Sequence, residues 1–287
     1  MGASIILCRY GEITLKGSNR ALFERRLRAN IRNMLTASRI AATVSAKRGR
    51  TLVQLTDSSQ GAALVVLQRV FGLTSVSVAH PVELSYPAIE QVIIALLQGR
   101  TFATFRVTAQ RLQKTFEPTP QIHQKVGRFI EQHFRKKVDL SHPDLDVGIE
   151  ILDQAYVFID RHPAPGGLPT GIEGTVLALV ESPAGQLAAW LAMKRGCSII
   201  PVQRKPFPIT LLQDYGCSAS AIRINHLKEL DAVAEEHSAM ALVTGQTLDE
   251  LSRWETALPV LRPLVGYAAP QITEKLEELQ CTRSSPR

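Results

Sequence analysis

Val176-Leu-Ala-Leu-Val-Glu-Ser-Pro-Ala-Gly-Gln-Leu-Ala-Ala-Trp-Leu-Ala-Met-Lys-Arg-Gly196 decides how the C-terminal part of the chain folds. The apolar run Val176 to Val180 is short, β-branched at its ends and preceded by Gly171 and Gly174, as suits a strand buried on both faces of a parallel sheet. Leu187, Trp190, Leu191 and the stem of Lys194 then recur at helical spacing, and Gly196 suits a helix C-cap. A strand, a short loop and a helix in this order place free backbone N–H groups and the positive end of a helix dipole at the loop, where an anion such as a nucleotide phosphate is favoured. The loop itself, Glu181-Ser-Pro-Ala-Gly185, is the unusual part.

Working outward, the chain has 287 residues, enough for two or three domains that each bury a core. No apolar run approaches the ~20 residues of a membrane span, and the first residues lack the pattern of a signal peptide, so a cytoplasmic protein with no membrane partner is expected. Cys8, Cys197, Cys217 and Cys281 are far apart and form no Cys-x-x-Cys pair, so neither a zinc site nor a disulfide framework is indicated.

Charge is distributed unevenly. Met1 to Arg50 holds eleven basic and two acidic residues, a net +9 that exceeds the +7 of the whole chain. From Leu227 onward six basic residues face ten acidic ones, a net −4. A basic front joined to an acidic rear points to a polyanion docked at one end, most simply nucleic acid.

Periodicity predicts a strand at Ser4 to Arg9, a helix at Arg20 to Ala37, a hairpin of Ala42 to Lys47 with Thr51 to Thr56, a helix at Gly61 to Val70 and a strand at Ser75 to Val82. That order is the ferredoxin-like one. A helix at Tyr86 to Leu97, a strand at Thr104 to Ala109, a helix at Pro120 to Phe134 and strands at Val147 to Leu152 and Ala155 to Ile159 form a second unit. Arg161 to Gly174 is rich in proline and glycine and reads as a linker. Beyond it, strands at Val176 to Val180, Ser198 to Gln203 and Met240 to Thr244 alternate with helices, predicting a parallel α/β sheet.

Eight segments in order carry a resemblance to a known family. They are Arg9-Tyr-Gly-Glu-Ile-Thr-Leu-Lys-Gly-Ser-Asn-Arg20, Phe71-Gly-Leu73, Phe105-Arg-Val-Thr-Ala-Gln-Arg111, Lys137-Val-Asp-Leu-Ser-His-Pro-Asp144, Gly166-Gly-Leu-Pro169, Ala189-Trp-Leu-Ala-Met-Lys-Arg-Gly196, Ala241-Leu-Val-Thr-Gly-Gln-Thr-Leu248 and Pro259-Val-Leu-Arg-Pro-Leu-Val-Gly266. Together they resemble the tRNA 4-thiouridine synthetase family. The resemblance implies an α/β protein with a ferredoxin-like domain (1–82), an RNA-binding THUMP domain (83–165) and a Rossmann-like ATP pyrophosphatase domain of the PP-loop class (166–287). It also implies tRNA as partner, ATP and Mg2+ as cofactors of a working loop, a homodimer, and sulfur handled by a late nucleophilic cysteine with a rhodanese domain or by a cysteine cluster.

Arg9, Lys16, Arg20, Arg106, Arg111 and Lys114 match in type and place the RNA-contacting side of the family, and are the expected phosphate contacts. The loop departs from the family. Its Ser-Gly-Gly-x-Asp-Ser pattern falls on Val180 to Gly185 and keeps none of those residues, so Val180, Glu181, Ser182 and Gly185 are candidates for an altered nucleotide site. Glu181 sets a carboxylate where phosphate would lie, and Pro183 removes a donor, although Glu181 also suits a magnesium ion bridging to phosphates. The sequence carries no rhodanese segment and no cysteine cluster, and no catalytic residue is assigned; Cys217 is the best thiol candidate. Two functions are therefore expected of such a chain. One is a tRNA-binding protein whose pyrophosphatase loop is lost or altered. The other is a divergent tRNA sulfurtransferase that adenylates and thiolates a uridine with partner-supplied sulfur.

Overall fold

A computed structural model describes residues 5–56 and 59–281. In chain order the elements are β1 Ile5–Tyr10, α1 Arg20–Ala37, β2 Ala42–Lys47, β3 Arg50–Leu55, α2 Gln60–Leu67, β4 Leu73–Val82, α3 Tyr86–Leu97, β5 Thr104–Arg111, α4 Thr119–Phe134, β6 Lys137–Val138, β7 Leu145–Ile151, β8 Ala155–Phe158 and β9 His162–Pro163. There follow β10 Thr175–Leu179, α5 Pro183–Lys194, β11 Ser198–Gln203, α6 Thr210–Asp214, β12 Ile222–Arg223, α7 Leu230–Glu236, β13 Leu242–Val243, β14 Val260–Leu261 and α8 Ala269–Cys281. Among the described residues no helix is long and apolar enough to cross a membrane. The chain forms two compact units, each assembled from separated segments: described residues up to 10, 39–64 and 74–163 make the first, and 11–38, 65–73 and those from 164 onward the second.

The first unit is organised on one sheet of order β2-β3-β1-β4-β8-β7-β5-β6, with β9 also on β4. Its β2-β3-β1-β4 part has the expected ferredoxin-like order. β4 is longer than its pattern predicts, and its far end pairs antiparallel with β8 through His80↔Val157 to Val82↔Ala155, which joins the two motifs into one sheet. β5 and β7 run parallel from Phe105↔Leu145 to Arg111↔Ile151. Ile89, Ile93 and Leu97 on α3 and Ile122, Val126 and Ile130 on α4 recur every four residues, so each set lines one helix face. Both stripes share a core with Phe105, Val107, Val147 and Ile149. Full burial of each such side chain contributes about 1.5–3 kcal/mol before conformational entropy is deducted.

The second unit carries a parallel sheet of order β12-β11-β10-β13-β14. β10 is central, pairing with β11 from Thr175↔Ser198 to Leu179↔Val202 and with β13 at Leu177↔Leu242. Because side chains alternate along a strand, Val176 and Ala178 face α5 and α8, while Leu177 faces α7 beside Val202, Leu230 and Leu242. Trp190 of α5 meets the rings of Phe71 and Tyr215 at 5.3 Å and 5.5 Å in edge-on contacts. The segment expected to be a linker is instead packed from residue 164 onward. Gly72 N–H donates to Gly166 O at 2.8 Å and Leu168 N–H to Lys194 O at 2.9 Å. Gly167 has φ +73°, and a Cβ there would lie 2.1 Å from Lys194 O, so only glycine fits.

Candidate functional site

The strand-to-helix turn of the second unit forms as its sequence predicts, with local chemistry that differs from the expectation. Ser182 is the N-cap of α5, its Oγ accepting from Gly185 N–H at 3.1 Å, and Pro183 occupies the first turn. Gln186 N–H donates to Ser182 O at 3.0 Å. Glu181 does not point its charge into open space. Its carboxylate accepts from Arg204 Nη2 at 2.7 Å and Nε at 3.1 Å, and also from the Arg204 backbone N–H. Burial alone would push the Glu181 carboxyl up, but the Arg204 hydrogen bonds outweigh it and hold the group below its ordinary value. Arg204 follows directly on β11, so this pair ties together the ends of two adjacent strands. With both carboxylate oxygens engaged, the expectation of a bare negative charge at the loop is corrected.

Gly185 and Gly245 explain each other. A Cβ on Gly185 would lie 2.5 Å from Leu179 O, and one on Gly245 would lie 2.4 Å from Gly185 N. The backbone leaving β13 therefore rests directly on the start of α5, and both positions need the smallest residue. Of residues 183–186, Pro183 has no N–H, and those of Gly185 and Gln186 are given to Ser182.

A cleft of about 800 Å3 opens beside this turn, lined among others by Glu181, Ser182, Thr244, Gln246 and Tyr267. It lies at the C-terminal ends of β10 and β13, where the strand order reverses, which is the usual place for a ligand in an open parallel sheet. Thr244 is 1% exposed and its Oγ1 has no partner among the described residues. Gln246 organises the adjoining loop. Its Oε1 accepts from Trp254 Nε1 at 2.8 Å and Arg262 Nε at 3.1 Å, and its Nε2 donates to Ser252 Oγ at 2.7 Å and Glu250 O at 2.9 Å. Every donor and acceptor of the amide is thereby used. This hub was not legible in sequence, because its partners are recognisable only once the loop is folded.

The predicted RNA contacts divide between the units. In the second unit Lys16 Nζ lies 4.9 Å over the Phe23 ring and Arg20 pairs with Glu24 at 2.7 Å. In the first, Arg106 pairs with Asp146 at 2.6 Å across the β5–β7 register, and Lys114 is exposed in the loop after β5. Arg111 donates to Phe116 O at 2.9 Å, while Phe116 packs half-buried 5.2 Å from Tyr86. Arg9 requires a correction. It is 5% exposed, its Nε is 2.5 Å from Glu150, Nη1 is 3.0 Å from Ser77 Oγ, and the guanidinium lies 4.5 Å over Phe158. Glu150, 1% exposed, also takes Arg50 Nε at 2.6 Å, so Arg9 belongs to a buried ion network and has no face for RNA.

Cys217 is corrected as well. Its thiol is buried, donates weakly to Ile199 O at 3.6 Å, and is pushed up by burial, which makes it an inert packing residue. The Cys8 thiol is pushed up to about 12 by burial. The Cys281 side chain lies outside the described residues.

Comparison with known proteins bears on this architecture. Residues 5–77 match the ThiI ferredoxin-like domain and residues 85–160 the THUMP domain. A probable tRNA sulfurtransferase of Moorella thermoacetica is 32% identical over 326 residues, covering 94% of this chain and 82% of that protein. The chain belongs to the tRNA sulfurtransferase family. A second relative from this family, in Thermococcus kodakarensis, is 31% identical over 94% of this chain and 86% of its own length. Among solved structures, PH1313 from Pyrococcus horikoshii superposes with a TM-score of 0.85 at 28% identity, covering 96% of this chain and 99% of that one. A 4-thiouridine synthetase solved as an RNA complex with bound ATP shares the fold at 24% identity, with a TM-score of 0.78 over 98% of this chain and 86% of its own.

Proposed function

We propose that this protein binds tRNA through its N-terminal ferredoxin-like (1–82) and THUMP (83–165) parts and takes part in thiolation of a tRNA uridine in its C-terminal part (166–287), with sulfur delivered by a separate protein. The observation that carries this reading is the cleft at the sheet's switch point, with the unpartnered Thr244 hydroxyl in its wall, in a chain 32% identical to a probable tRNA sulfurtransferase over 94% of its length. Recognition rests on duplex shape and phosphate charge, with Lys16, Arg20, Arg106, Arg111 and Lys114 as contacts. A separate donor is favoured because, among the described cysteine side chains, Cys8 and Cys217 are buried and Cys197 is half-buried, and burial pushes all three thiols up, which suits none of them to carrying sulfur.

One specific observation favours a second reading, in which tRNA binding continues without adenylation: the start of α5 is capped by Ser182 and covered by Gly245. Calorimetry with ATP and magnesium, with and without tRNA, separates the two. Micromolar ATP binding together with loss of a thionucleoside from tRNA in a deletion strain supports the enzyme. Unaltered nucleosides with intact tRNA binding support the second reading. Filter binding across a salt series, with Lys114→Glu lowering affinity, tests the RNA step common to both.

A further inference from the structure

A second cleft, of about 870 Å3, lies at the same edge of the parallel sheet, lined by Arg204 after β11, by His226 and Lys228 after β12, and by Arg253 to Glu255 before β14. Its lining sets Arg204, Lys228 and Arg253 against the exposed Glu255, and with Arg204 held by Glu181 it keeps a small basic excess, whereas the chain from Leu227 onward has a net charge of −4. Two further acids nearby are engaged in hydrogen bonds of their own. Glu229 Oε1 accepts from Asn225 N–H at 2.9 Å and His226 N–H at 2.7 Å, and Asp231 accepts from the Thr256 hydroxyl and from Ala257 N–H at 3.1 Å. Lys228 and Arg253 have no acidic partner among the described residues. Trp254 lines the same cleft, half-buried, its ring orientation fixed by the bond from Nε1 to Gln246. Trp254 lines both clefts and so forms the partition between this one and the switch-point cleft.

We propose that the basic cleft binds a single-stranded RNA segment, with one base stacked on Trp254 and the flanking phosphates on Lys228 and Arg253. A fixed aromatic face in one cleft with unneutralised cations is the arrangement that holds single strands: stacking tolerates any base, and the cations follow the backbone. A closed duplex offers no free base face to the indole. The placement also delivers the stacked nucleotide to the mouth of the switch-point cleft. This inference rests on the proposal that the protein binds RNA, and it names where an unpaired nucleotide is presented to the C-terminal part.

The test uses the full chain and its own fluorescence. Trp190 is 2% exposed, so quenching by added RNA reports Trp254. Hexauridylate is expected to quench saturably, and far more tightly than uridine monophosphate. Trp254→Ala with Lys228 and Arg253 intact should weaken hexamer binding about tenfold, measured by competition, and Trp254→Phe less. Lys228→Glu with Arg253→Glu should weaken it further and flatten the salt dependence, while filter binding of intact tRNA persists through the N-terminal contacts. If tRNA binds but the hexamer does not quench, or if the monophosphate binds as tightly as the hexamer, this inference is overturned alone. If neither tRNA nor hexamer binds, the RNA reading falls with it.

Discussion

Glu150→Gln is the sharpest test of how the first unit is held together. The substitution keeps the size and an acceptor but removes the one negative charge between Arg9 and Arg50, which are 5% and 8% exposed. Burial already pushes the Arg9 guanidinium down from its ordinary value, and Glu150 works against that shift. Removing one side of a buried ion pair costs about 3–5 kcal/mol, because the remaining charge stays desolvated. Here one carboxylate serves two cations, while Ser77 and Gln110 remain as neutral acceptors, so a loss of about 3–5 kcal/mol is expected. With a urea m-value of about 2 kcal/mol/M, the midpoint of the first unit falls by roughly 2 M. Hydrogen exchange at the β1 and β7 amides isolates that unit from the second. Replacing all three residues by apolar ones, Arg9→Met, Arg50→Met and Glu150→Leu, should recover most of the loss, since no buried charge is then left uncompensated. A loss below about 1 kcal/mol for Glu150→Gln, or a triple variant less stable than the single one, would refute the reasoning.

Arg204→Met removes the side-chain hydrogen bonds and the charge that hold Glu181 down but leaves the backbone N–H groups of Arg204 and Lys205, so its carboxyl should rise towards the ordinary 4.5. In the native protein the folded carboxyl lies below its unfolded value, so the stabilisation from this pair is complete above about pH 4.5 and lost as pH falls through the depressed folded value. Carboxyl NMR of glutamate-labelled protein reads both effects, and an unmoved titration in the variant would count against the pair. Gly245→Ala drives a methyl into the Ala184–Gly185 backbone and should cost about 1–3 kcal/mol, lowering the melting temperature by several degrees. Gly266→Ala, where a Cβ would meet nothing within 4 Å, serves as the neutral control; equal melting of both variants would show that the close approach at Gly245 is not maintained.

Long, strongly periodic elements were legible in the sequence. Tyr86 to Leu97 and Ser198 to Gln203 have the bounds their patterns predict, and the central strand is displaced by a single residue. The two-residue strands β6, β12 and β14 carry no period of their own and exist only because a neighbouring strand offers partners, so they were not legible. At the site, residue type pointed to the correct turn but not to its electrostatics. Arg9 reads as an exposed phosphate contact until Glu150, 141 residues later, folds against it, and Glu181 reads as bare until Arg204, 23 residues later, covers it. Both errors have one cause: a charge is judged locally from sequence, whereas its compensation is nonlocal.

The second unit takes α1 from near the start of the chain and the Val65 to Leu73 segment before its own sheet begins. Arg26 Nε and Asn30 Nδ2 both donate to Thr170 O, at 2.9 Å and 3.0 Å. A ribosome therefore completes α1 long before the residues that these side chains grip have been made. Synthesised at roughly 5–20 residues per second, the helix waits for on the order of ten seconds with part of its surface uncovered. Joining the ends and reopening the chain between residues 163 and 164 would reverse the order, so that the C-terminal sheet is made first and waits for α1 and then for the Val65 to Leu73 segment.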